Sequence, residues 1–151
     1  MKKLLILAFV VSSAIVANAA TFKWNAANLY AADGTSKFTG AVSLFAVGID
    51  DALSTVTASS SGAIALTEFS STVFISGTSY DFYFTYEDAG KRFTSATKAG
   101  VASDVGFTQL SFGNMATATK DPSNWAAVPE PTSGLLMLLG MAGLALRRRR
   151  V

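Results

Sequence analysis

Between residues 20 and 128 short apolar runs of Val, Ile, Phe and Tyr are interleaved with Ser and Thr, and no stretch holds a sustained helical period. The clearest alternation runs over 80–87. Tyr80, Phe82, Phe84 and Tyr86 fall on one side, and Asp81, Tyr83, Thr85 and Glu87 fall on the other. A period of two is the mark of a strand with one face in a core. Four aromatics turned inward would bury on the order of 600–1,000 Å², at about 150–250 Å² each. No other stretch offers as much apolar stabilisation. Further strands are expected at 21–24, 28–31, 37–48, 53–57, 63–69, 72–76, 91–98 and 107–112, with 115–119 closing the sheet. The strand at 37–48 is apolar on both faces (Val42 and Leu44 against Phe45 and Val47), as befits a strand inside a sandwich or beside a partner. Turn chemistry separates the strands at Asp33-Gly34, Ser61-Gly62, Gly77-Thr78 and Ala89-Gly90. About seven to nine short strands at this spacing predict an all-β fold: a single antiparallel β-sandwich, immunoglobulin-like or similar.

Two segments break the pattern. Residues 1–19 start with Lys2 and Lys3, continue as an apolar run over 4–16, and close with Ala17-Asn18-Ala19. This is the layout of a secretory signal peptide cut between Ala19 and Ala20. The alternative, an uncleaved anchor, has only that 13-residue run for a span. At the other end, Val128-Pro129-Glu130-Pro131 precedes an uncharged run dominated by Leu135, Leu136, Leu138, Leu139, Leu144 and Leu146. Arg147, Arg148, Arg149 and Arg150 follow it. Residues 132–146 would make a helix of about 22 Å. A bilayer core of about 30 Å makes that a short transmembrane helix, either an ordinary anchor or a transient parking segment. The arginines keep its end in the cytoplasm and place the preceding domain outside. The expected organisation is a signal peptide at 1–19, the sandwich at 20–120, a linker at 121–127 and the tail at 128–151.

The charge balance sharpens this division. The whole chain has a formal charge of +2, but six of its 12 basic residues lie in the two end segments. Residues 20–128 hold six basic and nine acidic residues, a net charge of −3, so the basic balance belongs to the ends and no nucleic-acid partner is expected. The chain has neither cysteine nor histidine. Their absence removes disulfides, Ser-His-Asp and Cys-His nucleophilic systems, the usual zinc sites and haem ligation by His or Cys.

The remaining chemistry is sparse, and no catalytic constellation emerges. Asp50-Asp51 and Glu87-Asp88 offer hard oxygen ligands of the kind calcium takes, but neither has the spaced Asp/Asn/Gly pattern of a dedicated loop. No metal or cofactor is assigned. A glycosidase would need two carboxyls a fixed distance apart across a cleft. Tyr83, on the polar face of its strand, joins Trp24, Trp125 and Tyr30 as a candidate for glycan contact, with partly covered packing as the alternative. Ser and Thr make up 28 of the 109 residues from 20 to 128, which reads as solvated sheet surface or as hydrogen-bonding area for matrix polysaccharide.

Val128-Pro129-Glu130-Pro131, the Leu/Gly/Ala-rich run and the arginine block together resemble the PEP-CTERM sorting signal. The resemblance covers 128–151 alone. It implies export through the Sec translocon, cleavage by signal peptidase, and recognition by an exosortase, a membrane-embedded transpeptidase thought to cut near Pro-Glu-Pro. It further implies a precursor held in the inner membrane by its C-terminus, and a mature protein on the cell surface or in the extracellular polysaccharide. The expected function is a non-enzymatic, structural or adhesive matrix protein. The alternatives are a carbohydrate-binding module and a small carboxylate-dependent hydrolase.

Overall fold

Inside–outside alternation builds the two central strands. Strand β1 (Ala20–Ala27) buries Ala20, Phe22, Trp24 and Ala26, while Thr21, Lys23 and Asn25 face outward. Strand β5 (Ser79–Asp88) buries Phe82, Phe84 and Tyr86 and leaves Asp81, Tyr83, Thr85 and Glu87 on its other side. These belong to a computed structural model that describes residues 19–128. Most of the expected signal peptide, Ala17 included, lies outside the described residues, as do Pro129, Glu130 and Pro131, the leucine-rich run and the arginine block.

Seven further strands complete the fold: β2 (Ala41–Ala46), β3 (Ser54–Thr57), β4 (Ile64–Ser71), β6 (Lys91–Thr94), β7 (Lys98–Val101), β8 (Thr108–Asn114) and β9 (Trp125–Ala127). One sheet has the order β4-β1-β8, and the other runs β3-β2-β5-β6-β9 with β7 also paired to β5. The all-β expectation holds. The inner faces meet through aromatic rings, with Phe22 against Phe82 at 4.9 Å and Trp24 beside Phe84 at 6.2 Å between centroids. Val42, Leu44, Phe93 and Leu110 fill the same core, fully or almost fully covered. The Trp24 indole N–H, which burial would otherwise leave unpaired, donates to Ser54 Oγ at 3.2 Å.

The structure departs from the sequence expectations at several points. The sandwich was expected to be antiparallel, but β1 and β8 run parallel, from Phe22 opposite Thr108 to Asn25 opposite Ser111. The long connection from β1 round to β8 permits this, since only antiparallel neighbours can be joined by a tight hairpin. Residues 28–31 contribute a single bridge, Tyr30 to Lys37, in place of a strand. Residues 72–76 form a loop that delivers Phe74 to the core. The return expected over 91–98 is divided into β6 and β7, which pair with successive stretches of β5. Ser95 causes the division: its Oγ accepts from the Phe84 N–H at 3.0 Å and donates to the Ala96 carbonyl, replacing a ladder contact with a side-chain one.

Residues 115–119 do not close a sheet. The helix α1 (Ala116–Lys120) stands there, its first turn held by Asn114 Oδ1, which accepts from the Ala116 N–H at 3.0 Å. Two alanines favour this helix locally over a strand. The expected linker at 121–127 is instead a 3-10 turn (Pro122–Asn124), capped by the Asp121 side chain, leading into β9. Trp125 explains the difference, because it lies edge-on to Tyr86 at 5.3 Å and near Phe93 at 5.7 Å and so holds the segment on the sheet. No helix among the described residues is long and apolar enough to cross a membrane.

Candidate functional site

The outer face of the larger sheet carries a chemically mixed groove. Strand register sets its rows. Phe45 on β2 lies opposite Tyr83 on β5, and their rings stack at 5.5 Å with 17° between planes. One step along, Ser43 lies opposite both Thr55 on β3 and Thr85 on β5, and Thr85 lies opposite Thr94 on β6. This gives a row of four hydroxyls across four strands, joined at one end by a Ser43–Thr55 hydrogen bond of 2.9 Å. A further step along, Glu87 lies opposite Arg92, whose Nε donates to Glu87 Oε1 at 2.9 Å. Two-residue steps of a strand rise about 6.6 Å, so the groove extends about 13 Å from Tyr83 to Glu87.

Loops raise its sides. Lys37, Phe38, Thr39 and Gly40 come from the β1–β2 connection, Asp50 from the turn after β2, and Asp88 from the β5–β6 hairpin. The open volume is about 1210 Å³. Asp88 Oδ2 accepts from the Ala32 N–H at 2.8 Å, which ties the first loop to the hairpin. That loop is itself braced by Asp33, whose carboxyl accepts from the N–H groups of Thr35 and Ser36. These bonds, Thr35 first, hold the Asp33 carboxyl down at about 2.

Beside the groove, Lys37 Nζ lies 3.8 Å from the centroid of the Tyr30 ring, and Lys120 Nζ lies 4.2 Å from it. The ammonium of Lys37, seconded by that of Lys120, lowers the pKa of the Tyr30 phenol against the opposing effect of desolvation. Lys37 also donates to Asn28 Oδ1 at 2.8 Å, so its charge is held at the rim.

Of the four glycan candidates, Tyr30 lies beside the groove under Lys37 and Lys120, and the other three separate cleanly. Tyr83 stands half-buried in the groove wall and presents its ring to the open side. Trp24 is fully covered, because it shares the inward parity of Phe22 and Ala26, and it is corrected to a core residue. Trp125 is half-buried against Tyr86 and Phe93, and its indole N–H donates to the Thr119 carbonyl at 2.9 Å, so it serves as an anchor for β9. Phe45 was missed as a site residue. Its odd parity against Val42, Leu44 and Ala46 was the available signal, since a large ring on the outer face of a strand has no core to fill.

Two of the three carboxylates in the groove lining are engaged locally, Glu87 by Arg92 and Asp88 by the Ala32 N–H. No group of three or more acidic side chains suited to a metal occurs among the described residues. The arrangement offers a flat apolar pair, a hydroxyl row and an ion pair in sequence, which suits contact with a polyhydroxylated chain. Sugar rings present C–H faces to aromatics and hydroxyls to Ser, Thr and charged groups.

Comparison with known proteins bears on the other end of the chain. Residues 127–150 match the family model described as the PEP-CTERM protein-sorting motif. The chain carries a PEP-CTERM sorting signal. No curated protein and no solved structure matches the chain. The PEP-CTERM motif marks an exported protein processed by an exosortase, with a C-terminus anchored in the membrane before sorting. Its first two residues, Ala127 and Val128, fall within the described structure. Ala127 ends β9, and the Val128 N–H donates to the Gly90 carbonyl at 3.0 Å.

Proposed function

We propose that this is a non-enzymatic adhesive protein of the cell surface or extracellular matrix, whose β-sandwich holds extracellular polysaccharide in the groove on its larger sheet. In this reading a Sec-type signal peptide over 1–19 exports the chain, signal peptidase cuts before Ala20, and the exosortase releases or transfers the domain near Pro-Glu-Pro. The two sheets are then a sandwich of immunoglobulin-like or similar kind, and the groove is its working surface. The observation that carries the reading is the stacked Phe45–Tyr83 pair, held outward beside four aligned hydroxyls on a chain addressed for export. Neutral glycan suits the site better than acidic glycan, because Asp50, Glu87 and Asp88 outnumber Lys37 and Arg92 along its lining.

Affinity electrophoresis of the secreted mature protein through gels containing neutral or acidic polysaccharide tests this reading. Retardation in at least one neutral gel is expected. Phe45→Ala and Tyr83→Ala should each weaken it by about tenfold, the usual cost of losing a central aromatic contact. Equal mobility with and without polysaccharide, or retardation unchanged in both variants, would remove the groove from the account.

A further inference from the structure

The sorting motif begins inside the fold. Ala127, the first residue of the match, pairs with Lys91 as the last residue of β9, and Val128 adds one more hydrogen bond to Gly90. Trp125 anchors this short strand through Tyr86, Phe93 and the Thr119 carbonyl. Pro129 comes next and has no N–H, so the ladder cannot continue. No spacer separates the last paired residue from Pro-Glu-Pro.

This arrangement conflicts with processing of the folded chain. Extended peptides are held largely through main-chain hydrogen bonds. Between 125 and 128 part of that main chain is already committed, because Ala126 faces Arg92 in the ladder, the Trp125 N–H donates to the Pro122 carbonyl and the Val128 N–H donates to Gly90. The enzyme is a membrane protein, and it would meet the motif flush against a rigid sheet. Release of β9 and the 3-10 turn removes both obstacles. Residues 121–128 would then span about 26 Å when extended, at about 3.3 Å each. The release is a local event: β9 has three residues, lies at the sheet edge, and exposes Ala126 and Ala127. Such elements open at far lower free energy than the whole domain.

We propose that β9 is a detachable latch that must leave the edge of β6 before the exosortase can process the chain, with Trp125 setting how often it leaves. This rests on the PEP-CTERM motif and the β9 pairing, and it is independent of the glycan reading.

The absence of cysteine makes a direct test simple. Gly90 and Val128 share a ladder hydrogen bond, so the next pair, Lys91 and Ala127, is of the non-hydrogen-bonded kind. Pairs of that kind bring Cα atoms to about 4.5 Å, within disulfide reach. Lys91→Cys/Ala127→Cys in the full-length chain, expressed with its exosortase, would lock β9 with no competing thiol. Its processing should be slower than that of either single-cysteine variant by about tenfold or more, and a thiol reductant should restore it. Processing at the single-variant rate, with the disulfide shown on a non-reducing gel, would overturn the proposal. Ala126→Pro removes a β9 backbone donor without touching the core, and it should speed processing by about threefold or more. Unchanged or slower processing of that variant would also overturn the proposal, whether or not the disulfide forms.

Discussion

Tyr86 shows how one side chain can serve both core and loop. Its ring is covered by Phe38, Phe84, Phe93 and Trp125, while its hydroxyl donates to the Tyr30 carbonyl at 2.8 Å. Burial raises the phenol above its ordinary value near 10.0 by penalising the phenolate. The folded state therefore keeps the proton that the unfolded chain gives up first. The contribution is complete below pH 10 or so and falls as pH rises above it. Tyr86→Phe should cost about 1–2 kcal/mol at neutral pH, through the lost hydrogen bond and the unpaired carbonyl. It should also flatten the alkaline decline. Urea titrations of the two proteins at pH 7 and pH 11 would show the gap narrowing at the higher pH, and a gap that widens would contradict the burial argument. Residue parity made Tyr86 and Tyr83 readable in advance, since each side of a strand has one fate. The same rule applied to β1 would have buried Trp24, but a strand drawn as four residues left its inward face undefined.

Elements were legible where alternation was long and opaque where side chains replaced backbone partners. β2 and β5 follow from their apolar spacing, whereas the break between β6 and β7 depends on one serine hydroxyl that no periodicity reveals. α1 and β9 are similar cases: short segments whose state is settled by Asn114 and by Trp125, not by pattern. The turn before β4 is held by its own steric limit. Gly62 sits at φ +68°, its carbonyl accepts from the Leu29 N–H at 2.8 Å, and any Cβ there would run into the Leu29 carbonyl. Gly62→Ala should therefore cost about 2–4 kcal/mol, combining left-handed strain with a backbone clash. Thermal unfolding monitored by circular dichroism checks this, and a melting temperature within a degree or so of wild type would show that the turn relaxes freely.

At the scale of the whole molecule, the division of labour between domain and tail accounts for the charge distribution and for the site. The arginines and the Pro-Glu-Pro step specify a route, and the domain they deliver is acidic, free of cysteine and carries an aromatic groove. The route was readable because a sorting signal has to be recognised from its linear sequence. The groove was not, because its rows are built from four strands far apart in the chain, with Thr55, Ser43, Thr85 and Thr94 meeting only once register is known. The same register joins the two halves of the account: β9, the last strand of the larger sheet, leads straight into the motif, so the processed end lies by the β5–β6 hairpin at the Glu87–Arg92 end of the groove.

The route is tested most directly by the intact mass of the protein recovered from cells with and without the exosortase. The protein from wild-type cells should start at Ala20 and lack the segment after the Pro-Glu-Pro region, and the protein from cells lacking the enzyme should still end at Val151. A product ending at Val151 in both strains would contradict this route.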